Sequence, residues 1–354
     1  MPKNHSTQKP ARTAPLQTAR SGALAVFMGL ALVMLLPGLT GCAGGPERPI
    51  VGRISALPAV VHPADNPTTP AKVALGAQLF VDKRLSGSGQ KACQSCHYRH
   101  LGWADGQALS RRDDGQMNTR HTPSLYNAGH QTSWYWDGRA SSLEAQILAA
   151  WKSQNGADPA VVAARLNAIP GYRGQFQAVF GGPATAQNIP QALAAYLRGK
   201  NSENAPWDRY EQGDLKAVSQ NAIEGYKLFA GKARCAVCHT APFYGNGGFH
   251  NIGLEGTKAR PDVGRFAVTG AQSDRGAFKT PTLRSAALSA PYFHDGSAKT
   301  LRDAVKLMAN GGGDDRNKSK VLKNVRLDDE EIDQVVAFIN SLTSTEIWRA
   351  PVLP

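Results

Sequence analysis

The sequence predicts a mainly α-helical chain built from two tandem, related halves. Three observations carry that expectation. A complete C-x-x-C-H motif occurs twice, as Cys93-Gln-Ser-Cys96-His97 and Cys235-Ala-Val-Cys238-His239. The same landmarks flank both motifs at matching spacings. Most remaining apolar residues recur at helical period. A chain of 354 residues suits two domains of ordinary size, each able to bury a core.

The N-terminus reads as a targeting segment and is set aside from the fold. Lys3, Lys9, Arg12 and Arg20 form a basic region, and no acidic residue precedes Cys42. Ala23 to Pro37 is a short apolar stretch, followed by Leu39-Thr40-Gly41-Cys42, which has the form of a bacterial lipoprotein signal. The expectation is a signal peptide over 1–41, with Cys42 as the lipid-bearing first residue of the mature protein, and a Pro-, Ala- and Gly-rich tether over 42–70. An ordinary cleaved signal or an uncleaved anchor helix is the plainer alternative. Cys42 is otherwise an odd cysteine without a role. Ala43 beside it carries no acidic retention signal, so the expected location is periplasmic, lipid-anchored at the outer membrane. Nothing after residue 45 is long and apolar enough to span a bilayer as a helix.

The formal charge is +13, and the leader supplies four of the positive residues. A basic surface fits nucleic acid, anionic lipid or an acidic protein. Export argues against nucleic acid, and the charges read as scattered, which suggests a solvated face.

The remaining four cysteines fall in the two motifs. That order of residues suits covalent haem: two thioethers about one helical turn apart, then an imidazole aimed at the iron. Zinc would not need an adjacent histidine in both motifs. Disulfides are permitted in an oxidising compartment, but a two-residue spacer favours redox chemistry over a structural staple. The expected fold class is therefore mainly α, two tandem cytochrome c-like domains with one c-type haem each. The first spans 71–215 and the second 216–350.

Gly76-Ala-Gln-Leu79-Phe80 precedes the first motif and Gly225-Tyr-Lys-Leu228-Phe229 the second. Each reads as a short amphipathic helix packed on its haem. Thr122-Pro123-Ser124-Leu125 and Thr280-Pro281-Thr282-Leu283 follow. Fifteen residues after each Thr comes an Asp-Gly turn, Asp137-Gly138 and Asp295-Gly296, and five residues after each Gly a helix-starting Leu, Leu143 and Leu301. This gapless alignment sets Met308 opposite Ala150. A thioether is a good axial ligand that raises haem potential, whereas a methyl group cannot ligate. The second haem is thus expected to be His239/Met308, and the first to keep one face open. The plainer reading of Met308 is a core methionine. Met117, His121, His130 and His100 remain as sixth-ligand candidates for the first haem. Helical periodicity also marks Leu143 to Trp151, Pro159 to Ala168, Pro190 to Leu197, Ala222 to Phe229 and Asp328 to Leu342, the last with an acidic first turn that suits the helix dipole. Arg260 to Ala277 reads as a long loop over the second haem.

These residues resemble the bacterial di-haem cytochrome c peroxidase family, which includes the MauG-type enzymes. The resemblance spans roughly residues 70 to 345 and is most specific in the two haem motifs, Leu85-Ser-Gly-Ser-Gly, Tyr135-Trp136-Asp137-Gly138-Arg139, Phe278-Lys-Thr-Pro-Thr-Leu-Arg284 and Pro291-Tyr-Phe-His-Asp-Gly296. It implies a peroxide site at the N-terminal haem and electron entry at the C-terminal haem from a small c-type cytochrome or cupredoxin. It implies that Trp136 relays electrons between haems, that Gln146 hydrogen-bonds bound peroxide, and that Met308 is the methionine ligand where MauG-type proteins place a tyrosine. That favours a peroxidase reducing hydrogen peroxide to water. The alternative is a MauG-type oxidase acting on a side chain, such as Trp, of a partner protein; a third is a pure electron carrier. Three departures stand out. The distal histidine falls near Asp113, the acid–base glutamate near Gly156, and the asparagine of the interdomain calcium site at His121, which counts against calcium. Glu144 and Asp113 are left as acid–base candidates. The resemblance is also compatible with a homodimer.

Overall fold

A computed structural model describes residues 55–345 and 347–354. The leader, Cys42 and the first part of the expected tether lie outside the described residues. The first half holds α1 (Pro70–Val81), α2 (Leu143–Ser153), α3 (Pro159–Asn167), α4 (Pro170–Phe180) and α5 (Asn188–Arg198). Next come α6 (Pro206–Glu211), α7 (Gln220–Ala230), α8 (Phe266–Thr269), α9 (Leu301–Ala309) and α10 (Asp329–Ser341). The described strands are one short antiparallel pair, β1 (Phe249–His250) and β2 (Phe278–Lys279), in the register Phe249 to Lys279 and His250 to Phe278.

Local chemistry explains where the helices start. The Thr69, Ser142, Ser219 and Thr300 side chains accept from backbone N–H groups of α1, α2, α7 and α9. Asp328 and Glu331 make a reciprocal capping box on α10. Proline occupies the first turn of α1, α3, α4 and α6, where its missing N–H costs nothing. The helix α4 was not expected, because its sequence is interrupted by Gly171 and Gly174 and shows weak periodicity; Tyr172 and Phe176 bury its inner face.

Each half is built on one close helix crossing. On α1, a β-carbon at Gly76 would stand 2.0 Å from the Ala192 carbonyl oxygen of α5. On α7, a β-carbon at Gly225 would stand 1.9 Å from the Gln334 carbonyl oxygen of α10. Only glycine permits either approach. Leu75, Leu79, Phe80, Trp103, Trp151 and Leu193 centre the first core. Trp207, Phe229, Tyr244, Val335 and Phe338 centre the second, so α6 contributes Trp207 and Tyr210 to the second half's packing.

The repeat is visible in the contacts between the halves. The His121 N–H donates to the His294 carbonyl at 2.7 Å, and the aligned Lys279 N–H donates to the Trp136 carbonyl at 2.7 Å. Each half thus gives one bond to the other's turn. Arg120 adds a bridge, donating to Asp137 at 2.7 Å and to Asp262 at 2.6 Å. The loop 260–277 takes part in this junction through Asp262 and through Arg265, whose guanidinium donates to the Asp137 carbonyl at 3.1 Å. It does not line the second cavity described below, contrary to expectation, because its charges are drawn to Asp137 and Arg120.

The chain ends are docked crosswise. Ser55 sits in the second half: its N–H donates to Glu211 at 2.9 Å, its hydroxyl meets Tyr244 at 2.6 Å, and its carbonyl accepts from Arg284. Eleven residues on, Asn66 sits in the first half, donating to Glu144 at 2.6 Å and accepting from Lys72 at 2.9 Å. The stretch expected as a free tether is therefore docked from Ser55 onward. The C-terminal tail returns to the first half, where Trp348 donates to the Tyr196 hydroxyl at 3.0 Å and packs edge-on against Trp103 at 6.1 Å.

Candidate haem centres

Cys93, Cys96 and His97 line a cavity of about 740 Å³, and Cys235, Cys238, His239 and Met308 line another of about 210 Å³. The cysteine pairs lie on tight 3-10 turns, Cys93–Ser95 and Cys235–Val237, which carry the following histidine into the cavity. Each imidazole is held from behind. His97 Nδ1 donates to the Trp103 carbonyl at 2.6 Å, and His239 Nδ1 to the Tyr244 carbonyl at 2.9 Å. Trp103 and Tyr244 both take positive φ, 62° and 50°, to turn those carbonyls inward. Such a bond fixes the tautomer and leaves Nε2 for a metal. Burial lowers the pKa of both histidines, which keeps the rings neutral, the ligating form.

The donor set fits haem better than zinc. Each cysteine pair lines its own cavity, so a single ion cannot take all four. Burial pushes the thiols of Cys93 and Cys235 up to about 12, since their surroundings disfavour a thiolate.

The walls of the two cavities differ in the residues that α9 and α2 supply. The second receives Leu301, Val305 and Met308 from α9. The first receives Leu143, Gln146, Ile147 and Ala150 from α2. Met308 and Ala150, matched in the internal alignment, thus each line the cavity of their own half.

Trp136 lines both cavities. Its indole donates to the His121 carbonyl at 2.9 Å, and its own carbonyl is held by Lys279. Its neighbour Tyr135 has φ 66°, and the aligned Phe293 has φ 72°, both in a region bulky side chains avoid. The Arg139 guanidinium lies 3.5 Å over the Tyr135 ring, whose hydroxyl donates to the Gln146 carbonyl at 3.2 Å. Gln146, Tyr135 and Trp136 therefore meet at one wall of the first cavity.

Neither acid–base candidate lies there. Asp113 accepts from Ser88 N–H and hydroxyl, and Glu144 pairs with Arg198 at 2.6 Å. Among the described residues, no carboxylate lines the first cavity. Met117, His121 and His130 do line it, with His121 Nδ1 occupied by the Gln107 carbonyl at 2.8 Å. His100 does not line it; its ring stands 5.8 Å from that of Tyr98, outside the cavity.

Residues missed from the sequence lie at the junction. Lys279, aligned with His121, lines both cavities, and burial lowers its pKa to about 8. It donates to the Ser133 carbonyl at 2.6 Å and to Gln131. His294, aligned with Trp136, is buried, stacks on Phe278 at 3.6 Å and meets Glu255 at 2.7 Å. Glu255, His294 and Asp295 form a ligand-like cluster, but the Lys258 ammonium sits on Glu255 at 2.6 Å and on Asp295 at 2.8 Å, already supplying a cation. The signal for both was the repeat itself: reading one half's motif residues against the other's points to them.

Comparison with known proteins gives the same reading of the chain. A family profile described as di-haem cytochrome c peroxidase matches residues 70–216, and one described as cytochrome c matches residues 222–343. The chain is 36% identical to a cytochrome-c peroxidase, IdrP1, of Denitromonas iodatirespirans, over 93% of this chain and 96% of that protein. It is 40% identical to the methylamine utilization protein MauG of Methylorubrum extorquens, over 80% of this chain and 81% of that protein. A crystal structure of a MauG-like protein associated with microbial copper homeostasis superposes with a TM-score of 0.76 at 31% identity, covering 81% of this chain and 93% of that one. The chain belongs to the bacterial di-haem cytochrome c peroxidase and MauG family, and is a di-haem oxidoreductase of two tandem cytochrome c-like domains with two covalently bound haem c groups.

Proposed function

We propose that the protein reduces hydrogen peroxide to water at the first haem, with electrons entering at the second from a small c-type cytochrome or cupredoxin. The observation that supports this is that Met308 lines the same cavity as His239, while Ala150, its counterpart in the internal alignment, lines the cavity that holds His97. Cys93 and Cys96 would hold the first haem and Cys235 and Cys238 the second, with His97 and His239 as proximal ligands. The bound haems supply the redox chemistry, and the chain sets access, ligation and wiring. Met308 would supply the remaining ligand of the second haem and raise its potential, which suits acceptance of electrons. Ala150 leaves room for a small oxidant beside Gln146. The Gln146 amide orients the peroxide, while the Tyr135 hydroxyl, whose pKa burial raises, is a further neutral donor at that wall. Trp136 spans the two cavities and carries electrons between them. We also infer that Cys42 bears a lipid that holds the protein at the outer membrane.

The second reading, oxidation of a partner protein's side chain, is favoured by the identity with MauG and by the absence of a carboxylate from the described wall of the first cavity. Stopped-flow absorbance separates the two. The haem-loaded protein is mixed with one equivalent of peroxide and then with a reduced small c-type cytochrome. Repeated oxidation of the cytochrome at about 1 to 1000 per second is expected of the peroxidase. Reaction with peroxide without cytochrome oxidation points to the partner-oxidising enzyme, and no reaction with peroxide sinks both. Trp136→Phe is expected to slow haem-to-haem transfer by about tenfold or more while leaving both haem spectra in place; unchanged transfer kinetics would remove Trp136 from the path.

A further inference from the structure

The rim of the second cavity combines exposed apolar side chains with cations that pair with no carboxylate among the described residues. Val237, the spacer residue directly before Cys238, is 52% exposed, and Val321 is 42% exposed; both line the cavity. Scattered exposed valines need no explanation, but two at the mouth of one redox site form an apolar contact face. Around them the charge is of one sign. Between residues 316 and 326 the chain carries Arg316, Lys318, Lys320, Lys323 and Arg326 and no acidic residue. Lys323 and Arg234 line the cavity beside the valines, and both are exposed, as is Lys320. Among the described residues no carboxylate pairs with these three cations, whereas the neighbouring Lys232 is neutralised by Glu331 at 2.6 Å. Arg234 and Lys323 thus stand as unpaired cations at the wall of this cavity, with Lys320 next to the lining residue Val321.

We propose that this rim is the docking surface for an acidic redox protein: one with a small apolar contact face ringed by carboxylates. This rests on the reading that electrons enter at the second haem. An apolar centre gives close approach without a large interface, as a transient electron-transfer encounter needs. Unpaired cations around it raise the encounter rate with an acidic partner and repel a basic one, an effect that salt removes.

The test uses the haem-loaded full-length protein and one carrier in two charge states. Reduced mitochondrial cytochrome c, which is basic, and the same protein after succinylation of its lysines are each mixed with the oxidised enzyme at low and high salt. Reduction of the second haem is followed by stopped-flow absorbance. The succinylated carrier is expected to react at least about tenfold faster at low salt, and its rate to fall steeply as salt rises. The double variant Lys320→Glu, Lys323→Glu is expected to erase that advantage, while reduction by photoreduced riboflavin, a small uncharged donor, stays unchanged. A faster reaction with the basic carrier, or rates insensitive to salt and to the double variant, overturns the docking proposal and leaves electron entry intact. If riboflavin reduces the second haem and neither carrier does, the entry reading itself fails, and the docking proposal with it.

Discussion

Replacing Met308 by alanine is expected to lower the midpoint potential of the second haem by more than about 59 mV, the step that changes a one-electron equilibrium tenfold. The substitution gives the second site the composition of the first, where the matching residue of α2 is Ala150. A thioether stabilises reduced iron relative to oxidised iron, so its loss moves the potential down. Leu301 and Val305 on the same face of α9 still line the cavity, so the site keeps its apolar wall. Electron entry from a reduced carrier slows as the driving force falls, and the second haem gains an open face able to bind small exogenous ligands. Spectroelectrochemical titration of wild type and variant reads the effect directly. An unchanged potential would show that Met308 is packing and not a ligand.

Arg284→Ala is expected to destabilise the protein by about 3–5 kcal/mol, the cost of breaking a buried ion pair by removing one partner. The Arg284 side chain is 0% exposed and pairs with Asp208 at 2.9 Å. It also donates to the carbonyls of Pro242 at 2.6 Å and Ser202 at 3.1 Å, and to that of Ser55. Three segments far apart in sequence, at Ser55, at Ser202 to Asp208 and at Pro242, therefore converge on one guanidinium. Its removal leaves the Asp208 carboxylate and several carbonyls without their donor. Arg284→Lys should recover little, because an ammonium cannot reproduce the planar fork. Urea denaturation followed by circular dichroism measures the change, with a loss of more than about 1 M in the midpoint expected. A loss below about 1 kcal/mol would show that the network is replaceable by water.

The chemistry of this chain lies close to the surface of its sequence. C-x-x-C-H fixes the cysteines and histidine on one short turn, so the motif needs no tertiary context to be read. Helices with a cap and a clear apolar stripe, such as α2 and α10, are legible for the same reason. Contacts made by single polar atoms across long separations are not. Nothing around Ser55 or Asn66 distinguishes them from other residues of a Pro-rich linker, and their partners Glu211 and Glu144 lie more than 75 residues away. Glu144, one residue into α2, looked available for acid–base work because sequence cannot show that Arg198 has claimed it. Arg234 and Lys323 lie far apart in the sequence, and only the fold brings both to the wall of the second cavity. His294 and Lys279 were recoverable, since the repeat that exposed Ala150 and Met308 also aligns them with Trp136 and His121.

The crosswise docking of the two chain ends has a consequence for how the molecule comes apart. A segment near the start of the described chain is fastened in the second half, and the last residues are fastened in the first, beside the Trp103 that holds His97. Neither half is complete when cut from the other at the junction: the first would lose the Trp348 brace behind its own proximal histidine, and the second would lose the Ser55 carbonyl from the centre of its Arg284 network. Long-range closures of this kind make folding slow and unfolding concerted. Two haem domains that look modular in sequence should therefore melt in one transition, and loss of the Ser55 or the Trp348 contacts should register at the haem in the half where each is docked.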